Sequence, residues 1–183
     1  MDDAGRFRDL FERCHEAVRR FACHRSIEGV EADDLVADTF LVVWRRLDVV
    51  PLDDPLPWIL AVAANVRRNH LRGAYRFRSA VRRLPEPTVV HPPEAPDPRT
   101  ALLRDALSKL PADDQEILRL VAWDELSPTQ AATVLGCRPG TARSRLSRAR
   151  ARLAQLLGDA ADDADSPPAR AWREEESDDR VHP

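Results

Sequence analysis

Several features that often define a protein class are scarce in this sequence. It has 183 residues with only six glycines, and 5% of its residues are aromatic. Its three cysteines are too few for a disulfide framework, and its acidic, amphipathic N-terminus differs from a secretory signal. The longest uncharged apolar stretch, residues 55–66, is shorter than the roughly 20 residues that span a membrane. These absences predict a cytoplasmic protein with reduced thiols and no membrane insertion.

Motifs of catalysis and metal binding are also missing. The sequence has no glycine-rich phosphate loop and no nucleophile elbow, so we predict neither an enzyme nor a cofactor. Cys14 and Cys23 each precede a histidine, a pairing that suggests zinc. Nine helical residues separate the two cysteines, which turns their side chains to opposite faces of a helix. No metal site is therefore predicted.

Helical periodicity dominates the sequence, and no segment alternates as a strand does. Apolar residues recur at i, i+3, i+4 and i+7 spacing and predict helices over residues 6–24 and 32–47. A third helix is predicted from about Trp58 to Gly73 or slightly beyond. Between the last two helices, residues 48–57 contain three prolines and predict an ordered loop.

Six prolines lie between residues 85 and 99, a density that favours a semi-extended linker. We therefore predict an all-α fold of two small helical domains, residues 1–83 and 100–158, joined by a proline-rich linker at 84–99. Residues 159–183 carry nine acidic and three basic side chains. This composition predicts a disordered acidic tail.

The second predicted domain contains a helix-turn-helix signature. Ser127 is a favourable N-cap, Pro128 takes the first helical position, and Gln130 completes a capping box. Gly136 permits the left-handed residue that ends this helix, and Pro139 prevents its continuation. The next helix has one apolar side and is otherwise rich in arginines and hydroxyls, as a recognition helix in the major groove requires.

Positive charge is concentrated in two blocks. Residues 55–85 contain seven arginines and residues 137–158 contain six, and neither block has an acid, although the net charge of the chain is −3. Blocks of one sign favour contact with a polyanion over a solvated helix face, which usually mixes both signs. In the first block Trp58, Tyr75 and Phe77 alternate with arginines, which is typical of proteins that bind single-stranded nucleic acid.

Three stretches together resemble the extracytoplasmic-function (ECF) subfamily of sigma factors, within the sigma-70 family of bacterial RNA polymerase. They are EADDLVADTFLVVWRRL (31–47), PLPWILAVAANVRRNHLR (55–72) and the segment from LPADDQEIL to RARARL (110–153). The resemblance implies a factor that binds core RNA polymerase, recognises the −10 and −35 elements of promoter DNA and promotes strand opening. It also implies an anti-sigma factor as a partner.

The resemblance assigns roles to particular residues. Polymerase docking falls to residues of the second predicted helix: Asp34, Asp38, Phe40, Trp44 and Arg45. Reading and melting of the −10 element fall to the loop and the third helix: Asp53, Asp54, Trp58, Asn65, Arg67, Arg68 and Arg72. Contact with the −35 element falls to the recognition helix and the residues before it: Arg138, Thr141, Arg143, Ser144, Ser147 and Arg148. For Asp53 and Asp54, exclusion of some bases and simple exposure to solvent both stay open.

Two other functions stay open at this point. A stand-alone helix-turn-helix regulator would bind duplex DNA as a dimer and would need no polymerase. The second of these functions is that of an interaction protein whose main contact is an anti-sigma factor. The helix at 31–47 and the aromatic, basic segment at 58–78 favour the sigma factor.

Overall fold

The computed structural model describes residues 2–25, 32–81 and 98–164. Within these ranges the chain is helical and contains no strand, which confirms the predicted all-α fold. A short 3₁₀ helix covers Leu47–Val49. The seven α-helices are α1 (Asp3–His24), α2 (Ala32–Arg45), α3 (Leu56–Val81), α4 (Pro98–Ser108), α5 (Ala112–Ala122), α6 (Pro128–Leu135) and α7 (Pro139–Ala164).

The N-terminal unit consists of α1, α2 and α3, which pack pairwise against one another. The Asp2 side chain accepts a hydrogen bond of 2.9 Å from the Gly5 N–H and so caps α1. Apolar side chains of the three helices form the centre of the unit, where the largest fully buried ones include Phe21, Leu35 and Ile59. Burial of each of these side chains stabilises the fold by about 1.5–3 kcal/mol.

The C-terminal unit consists of α4 to α7 and contains the predicted helix-turn-helix, formed by α6 and α7. Ser127 Oγ accepts from the Gln130 N–H at 3.2 Å, and Gln130 Oε1 accepts from the Ser127 N–H at 2.9 Å. This reciprocal pair is the predicted capping box. Ala131 and Ala142 have no exposed surface, because small side chains let α6 and α7 cross closely.

The turn between α6 and α7 is a Schellman motif. Gly136 is left-handed, with φ of 64°, and its N–H donates to the Thr133 carbonyl at 3.2 Å. The Cys137 N–H donates to the Ala132 carbonyl at 3.0 Å, which satisfies a second carbonyl at the end of α6. α7 then starts at Pro139, whereas the sequence pattern predicts a start at Gly140 or Thr141.

Prolines also account for two further differences, at the starts of α3 and α4. α3 starts at Leu56, inside the predicted loop, because Pro57 lies in its first turn, where a missing N–H leaves no bond unmade. α4 starts at Pro98, two residues inside the predicted linker. The linker residues 82–97 lie outside the described part of the chain.

The ends of the two longest helices also differ from the predictions. α3 continues to Val81, well beyond Gly73, and α7 continues to Ala164, six residues into the segment predicted to be a tail. The rest of that segment, residues 165–183, is not described. Among the helices that the structure does describe, none is both long enough and apolar enough to cross a membrane.

The two units pack against each other, which the sequence analysis does not predict. α3 of the N-terminal unit lies against α6 of the C-terminal unit. One continuous set of buried apolar side chains therefore runs from α1 through α3 and α6 to α7. The helix that carries the predicted −10 residues thus contacts the first helix of the helix-turn-helix.

Two glycines should respond in opposite ways to substitution by alanine. A Cβ at Gly136 would meet nothing within 4 Å, so only the left-handed backbone opposes it. We expect Gly136→Ala to lower the free energy of unfolding by about 1 kcal/mol. Gly140 lies in α7 with equally open space, so Gly140→Ala should leave that free energy unchanged or raise it by up to about 1 kcal/mol. Urea unfolding followed by circular dichroism measures both, and equal effects would contradict the explanation.

Candidate nucleic-acid interface

The recognition helix α7 presents the predicted −35 residues to solvent. Its apolar stripe is buried, with Ala142 and Ala149 at 0% exposure and Leu146 at 5%, so the opposite side of the helix must face outward. The six predicted residues are all exposed: Arg138, Thr141, Arg143, Ser144, Ser147 and Arg148. The structure therefore brings all six onto one accessible surface, which we name the α7 face.

Local hydrogen bonds orient part of the α7 face. Ser144 Oγ donates to the Thr141 carbonyl at 3.1 Å, and Arg148 Nε donates to the Ser144 carbonyl at 3.3 Å. The Arg148 terminal nitrogens stay available for a phosphate or a guanine edge, since only Nε takes part in that bond. A guanidinium held in this way can make the bidentate contact that distinguishes guanine in the major groove.

Other arginines of α7 support the fold. Arg145 forms an ion pair of 3.2 Å with Asp113 of α5, and Arg152 pairs with the buried carboxylate of Asp114. Both carboxylates lie in the first turn of α5. Some arginines of this block therefore form ion pairs with α5, and others face solvent. The charge pattern of the sequence does not predict which arginine does which.

The predicted −10 residues lie on the loop before α3 and on α3 itself. Asp53, Asn65, Arg68 and Arg72 are exposed, and Asn65 Oδ1 accepts from Arg68 Nη1 at 2.8 Å. Trp58 is half-buried and packs against the core, so its indole is only partly available for stacking. The side chains of Tyr75 and Phe77, which contributed to the prediction, lie outside the described part of the structure.

Two predicted −10 residues are bonded within the protein, Asp54 to the C-terminal unit and Arg67 to the residue that follows α1. Asp54 Oδ2 accepts from Gln130 Nε2 at 2.9 Å. Arg67 is half-buried, and its Nε donates to the Arg25 carbonyl at 3.3 Å. Burial lowers the pKa of the Arg67 guanidinium, and the positive charges of Arg25 and Arg119 act in the same direction, whereas Glu116 opposes them. These two side chains are therefore engaged within the protein.

The predicted docking helix α2 has an exposed aromatic end. Trp44 is 45% exposed and Leu41 is 45% exposed, and the Trp44 ring meets Phe7 of α1 edge to face at 5.2 Å. Phe11 of α1, 38% exposed, continues this patch beside Phe7. We name Phe7, Phe11, Leu41 and Trp44 the aromatic surface. The helical spacing of α1 places both phenylalanines on its apolar face, but that spacing does not indicate that this end of the face is accessible.

The five predicted docking residues do not all lie on the surface. Asp34, Asp38 and Arg45 are exposed, as Trp44 is. Phe40 is only 4% exposed, and its ring lies beneath the aromatic surface, 4.8 Å from the ring of Phe11. Phe40 therefore supports this surface from below. Asp38 accepts a bond of 2.7 Å from the His70 ring, which links α2 to α3.

A buried charge cluster joins the two units, and no sequence signal indicated it. The Arg25 side chain has no exposed surface; its Nε donates to Glu116 Oε1 at 2.9 Å and its Nη2 to Asp124 Oδ2 at 2.7 Å. The Arg25 guanidinium also lies 3.9 Å from the centre of the Phe21 ring. Burial raises the pKa of the Asp124 carboxyl, against the effect of Arg25.

The sequence matches two family profiles that cover most of the described helices. Sigma-70 region 2 matches residues 10–77, which include α2 and most of α1 and α3. Sigma-70, region 4 matches residues 100–153, which include α5, α6 and the recognition part of α7. The α7 face falls within the region 4 match, and Phe11, Leu41 and Trp44 of the aromatic surface fall within the region 2 match.

Two sigma factors are similar in sequence to this chain along most of its length. RNA polymerase sigma factor CarQ of Myxococcus xanthus is 34% identical over 158 residues, which is 84% of this chain and 90% of CarQ. ECF RNA polymerase sigma factor EcfG of Rhodopseudomonas palustris is 34% identical over 147 residues, which is 77% of this chain and 79% of EcfG.

Solved structures give the same result. The sigma factor RpoE from Bartonella quintana, in complex with the anti-sigma factor NepR, is 30% identical with a TM-score of 0.62, over 83% of this chain and 96% of that chain. CnrH in complex with the cytosolic domain of CnrY is 32% identical with a TM-score of 0.57, over 87% of this chain and 89% of that chain. The chain therefore belongs to the ECF subfamily of sigma factors, within the sigma-70 family.

Proposed function

We propose that this sigma factor uses three separate surfaces for core RNA polymerase, the −10 element and the −35 element. The observation that carries the proposal is the α7 face, where all six predicted −35 residues are exposed while the apolar stripe of the same helix is buried. The apolar side fixes how the helix sits, and the polar side is left for DNA.

The α7 face suits the −35 duplex. Arg143 and Arg148 supply guanidinium groups for guanine edges or phosphates, and the hydroxyls of Ser144, Ser147 and Thr141 supply shorter contacts. The ion pairs from Arg145 and Arg152 to α5 hold the helix in place. The helix is therefore held rigidly while its basic surface stays exposed. Recognition of a DNA groove requires both properties.

The loop before α3 and α3 itself suit the −10 element as a melted strand. Trp58 offers a partly exposed indole for stacking, and Asn65 and Arg68 form an exposed polar pair about two to three turns further along α3. Arg72 adds a cation on the same helix. Stacking and backbone neutralisation are the two terms on which single-strand binding depends, and extruding a base costs a few kcal/mol that such contacts must offset.

The aromatic surface suits core RNA polymerase. Exposed aromatic and apolar side chains that lie together mark protein interfaces, and Trp44 and Leu41 are neighbours on α2 at i, i+3 spacing. Asp34, Asp38 and Arg45 are exposed charges on the same helix. An apolar centre with a charged border is the usual arrangement of a recognition interface.

We further propose that the chain acts in the cytoplasm, where its polymerase is found, and has no enzymatic activity of its own. An anti-sigma factor is a proposed partner, because the RpoE and CnrH structures contain NepR and CnrY respectively. The stand-alone regulator is not favoured, because the match to sigma-70 region 2 covers a whole unit that such a regulator would not need.

The decisive experiment is binding of the purified chain to core RNA polymerase, followed by run-off transcription from a pool of genomic fragments. We expect a stable complex and discrete new start sites, whose alignment would define both promoter elements. Binding to duplex DNA without association with the polymerase would reject the sigma function and favour the stand-alone regulator.

Removal of the Trp44 ring should weaken polymerase binding. Truncating an aromatic residue at the centre of an interface costs about 2 kcal/mol or more, so Trp44→Ala should lower the affinity for core polymerase by at least about tenfold. Leu52→Ala is the matched control, since Leu52 is 72% exposed and lies outside the aromatic surface. Titration of labelled polymerase measures both affinities, and equal losses would reject the assignment.

The arginines of α7 should differ in their effect on duplex binding. Arg143→Gln and Arg148→Gln each remove a solvent-facing guanidinium and should cost about 1–3 kcal/mol on a −35 duplex from a mapped promoter. Arg145→Gln removes the same charge from an arginine that is ion-paired with Asp113, and it should change the affinity less than about threefold. Fluorescence anisotropy at fixed salt compares them. Equal losses for all three would mean that only the total charge matters.

A further inference from the structure

A groove on the C-terminal unit has no role in the proposed function. It lies between α4 and α5, has a volume of about 420 Å³, and includes His24 of α1 at its border. Its α4 and α5 sides are formed, with others, by Leu103, Arg104, Leu107, Gln115, Arg119 and Trp123. The described residues that line it do not belong to the α7 face or to the aromatic surface. We name it the α4–α5 groove.

The α4–α5 groove combines exposed apolar surface with positive charge. Leu103 is 37% exposed and Trp123 is 36% exposed, so an aliphatic side chain and an aromatic ring both face solvent. Arg104 is exposed beside Leu103 and, within the described part of the chain, has neither an ion pair nor a hydrogen bond. Large apolar side chains that stay exposed together mark binding surfaces. The groove therefore suits a segment that offers an aromatic side chain together with carboxylates.

Hydrogen bonds within the C-terminal unit hold the groove in shape. Gln115 Nε2 donates to the Leu110 carbonyl at 2.9 Å, which ties α5 to the turn after α4. Gln115 Oε1 accepts in turn from Arg119 Nη2 at 2.9 Å. Because these polar groups already have partners, an occupant must obtain its affinity from the apolar side chains and from Arg104.

The segment after α7, residues 165–183, has the composition that this groove suits. Its single tryptophan, Trp172, is followed by five acids between residues 174 and 179. A segment so rich in charge cannot form a core of its own, so its indole leaves water only if the rest of the chain provides a site. The indole matches the apolar part of the groove, and the carboxylates match Arg104.

The chain is long enough for Trp172 to reach the groove. The ion pair between Arg152 and Asp114 places α7 beside the first turn of α5, next to Gln115 of the groove. Twelve residues lead from Arg152 to the end of α7 at Ala164, or about 18 Å at 1.5 Å per residue. The eight residues from Ala164 to Trp172 span up to about 26–29 Å when extended. That span covers the return from the end of α7 to the groove.

We propose that residues 165–183 dock on the α4–α5 groove of their own chain, with the Trp172 indole against Leu103 and Trp123 and the following acids beside Arg104. Because both partners belong to one chain, their effective concentration is on the order of millimolar, and weak contacts suffice. The docked segment covers apolar surface that is otherwise exposed. A protein partner that uses this groove must first displace the segment.

Fluorine NMR on the full-length chain, labelled with 5-fluorotryptophan, tests this docking. The four tryptophans give four resonances, and each is assigned by its own substitution to phenylalanine. The change of a resonance between water and deuterium oxide reports the exposure of that ring to solvent. The same chain in urea gives the position of an undocked Trp172.

Two variants weaken the groove: Leu103→Gln and Arg104→Gln. Neither side chain is buried, so both variants keep the core intact. Leu102→Gln is the matched control, because Leu102 is the neighbouring leucine of α4, is 43% exposed and does not line the groove. Arg143→Gln tests the α7 face as an alternative site for an acidic segment. Circular dichroism establishes that each variant keeps its helix content.

We expect the Trp172 resonance of the unmodified chain to differ from its position in urea and to respond less to deuterium oxide. Leu103→Gln should lower the ratio of docked to free segment by at least about fivefold, because an amide placed in an apolar contact loses its water. Arg104→Gln should lower that ratio less, since an exposed ion pair contributes little.

The other resonances check which surface the indole meets. Trp172→Phe should move the Trp123 resonance and leave that of Trp58, which lies on α3, in place. Leu102→Gln and Arg143→Gln should leave the Trp172 resonance where it is in the unmodified chain.

A Trp172 resonance that coincides with its position in urea would overturn the proposal, because the segment would then be undocked. A shielded Trp172 that responds to Arg143→Gln and not to Leu103→Gln would also overturn it and would place the segment on the α7 face. Shielding that disappears on tenfold dilution would reject docking within one chain and indicate a second copy. None of these outcomes involves polymerase or promoter DNA, so the proposed function is tested separately.

Discussion

The packing of the two helical units depends on the buried guanidinium of Arg25 and on the acids with which it pairs. Arg25 lies just after α1 and its side chain has no exposed surface, so its charge requires acids at bonding distance. Both acids come from the other half of the chain. The same residue uses its carbonyl to accept from Arg67 and its guanidinium to cover the Phe21 ring. One residue thus connects α1, α3 and α5 to the turn that follows α5.

The turn after α5 has a conformation that places Asp124 next to Arg25. Glu125 adopts a left-handed conformation, with φ of 58°, which is uncommon for a residue with a Cβ. The Leu126 N–H donates to the Leu120 carbonyl at 3.0 Å and closes the turn. Asp124, immediately before it, is thereby directed into the interior toward Arg25. A strained residue next to a buried carboxylate is consistent with a turn whose shape is set by a long-range contact.

The arginines of this protein show how one residue type acquires several roles. Arg145 and Arg152 pair with acids of α5, Arg25 is buried between the units, and Arg143 and Arg148 face solvent. The roles follow from what each guanidinium meets, since an arginine paired with a carboxylate has little charge to offer DNA. The basic surface of α7 that is proposed to bind DNA therefore contains fewer arginines than the sequence suggests.

The sequence by itself determined the elements whose causes are local. Helical spacing, the Ser127 capping box, left-handed Gly136 and Pro139 predict α6, the turn and α7, because each cause acts within a few residues. Family resemblance added the roles. Tertiary structure alone decided that Phe40 is buried while Trp44 is exposed, although their i, i+4 spacing places both on one side of α2. It also decided that the two units meet through Arg25, because that contact depends on acids about a hundred residues away, beyond the reach of any local pattern.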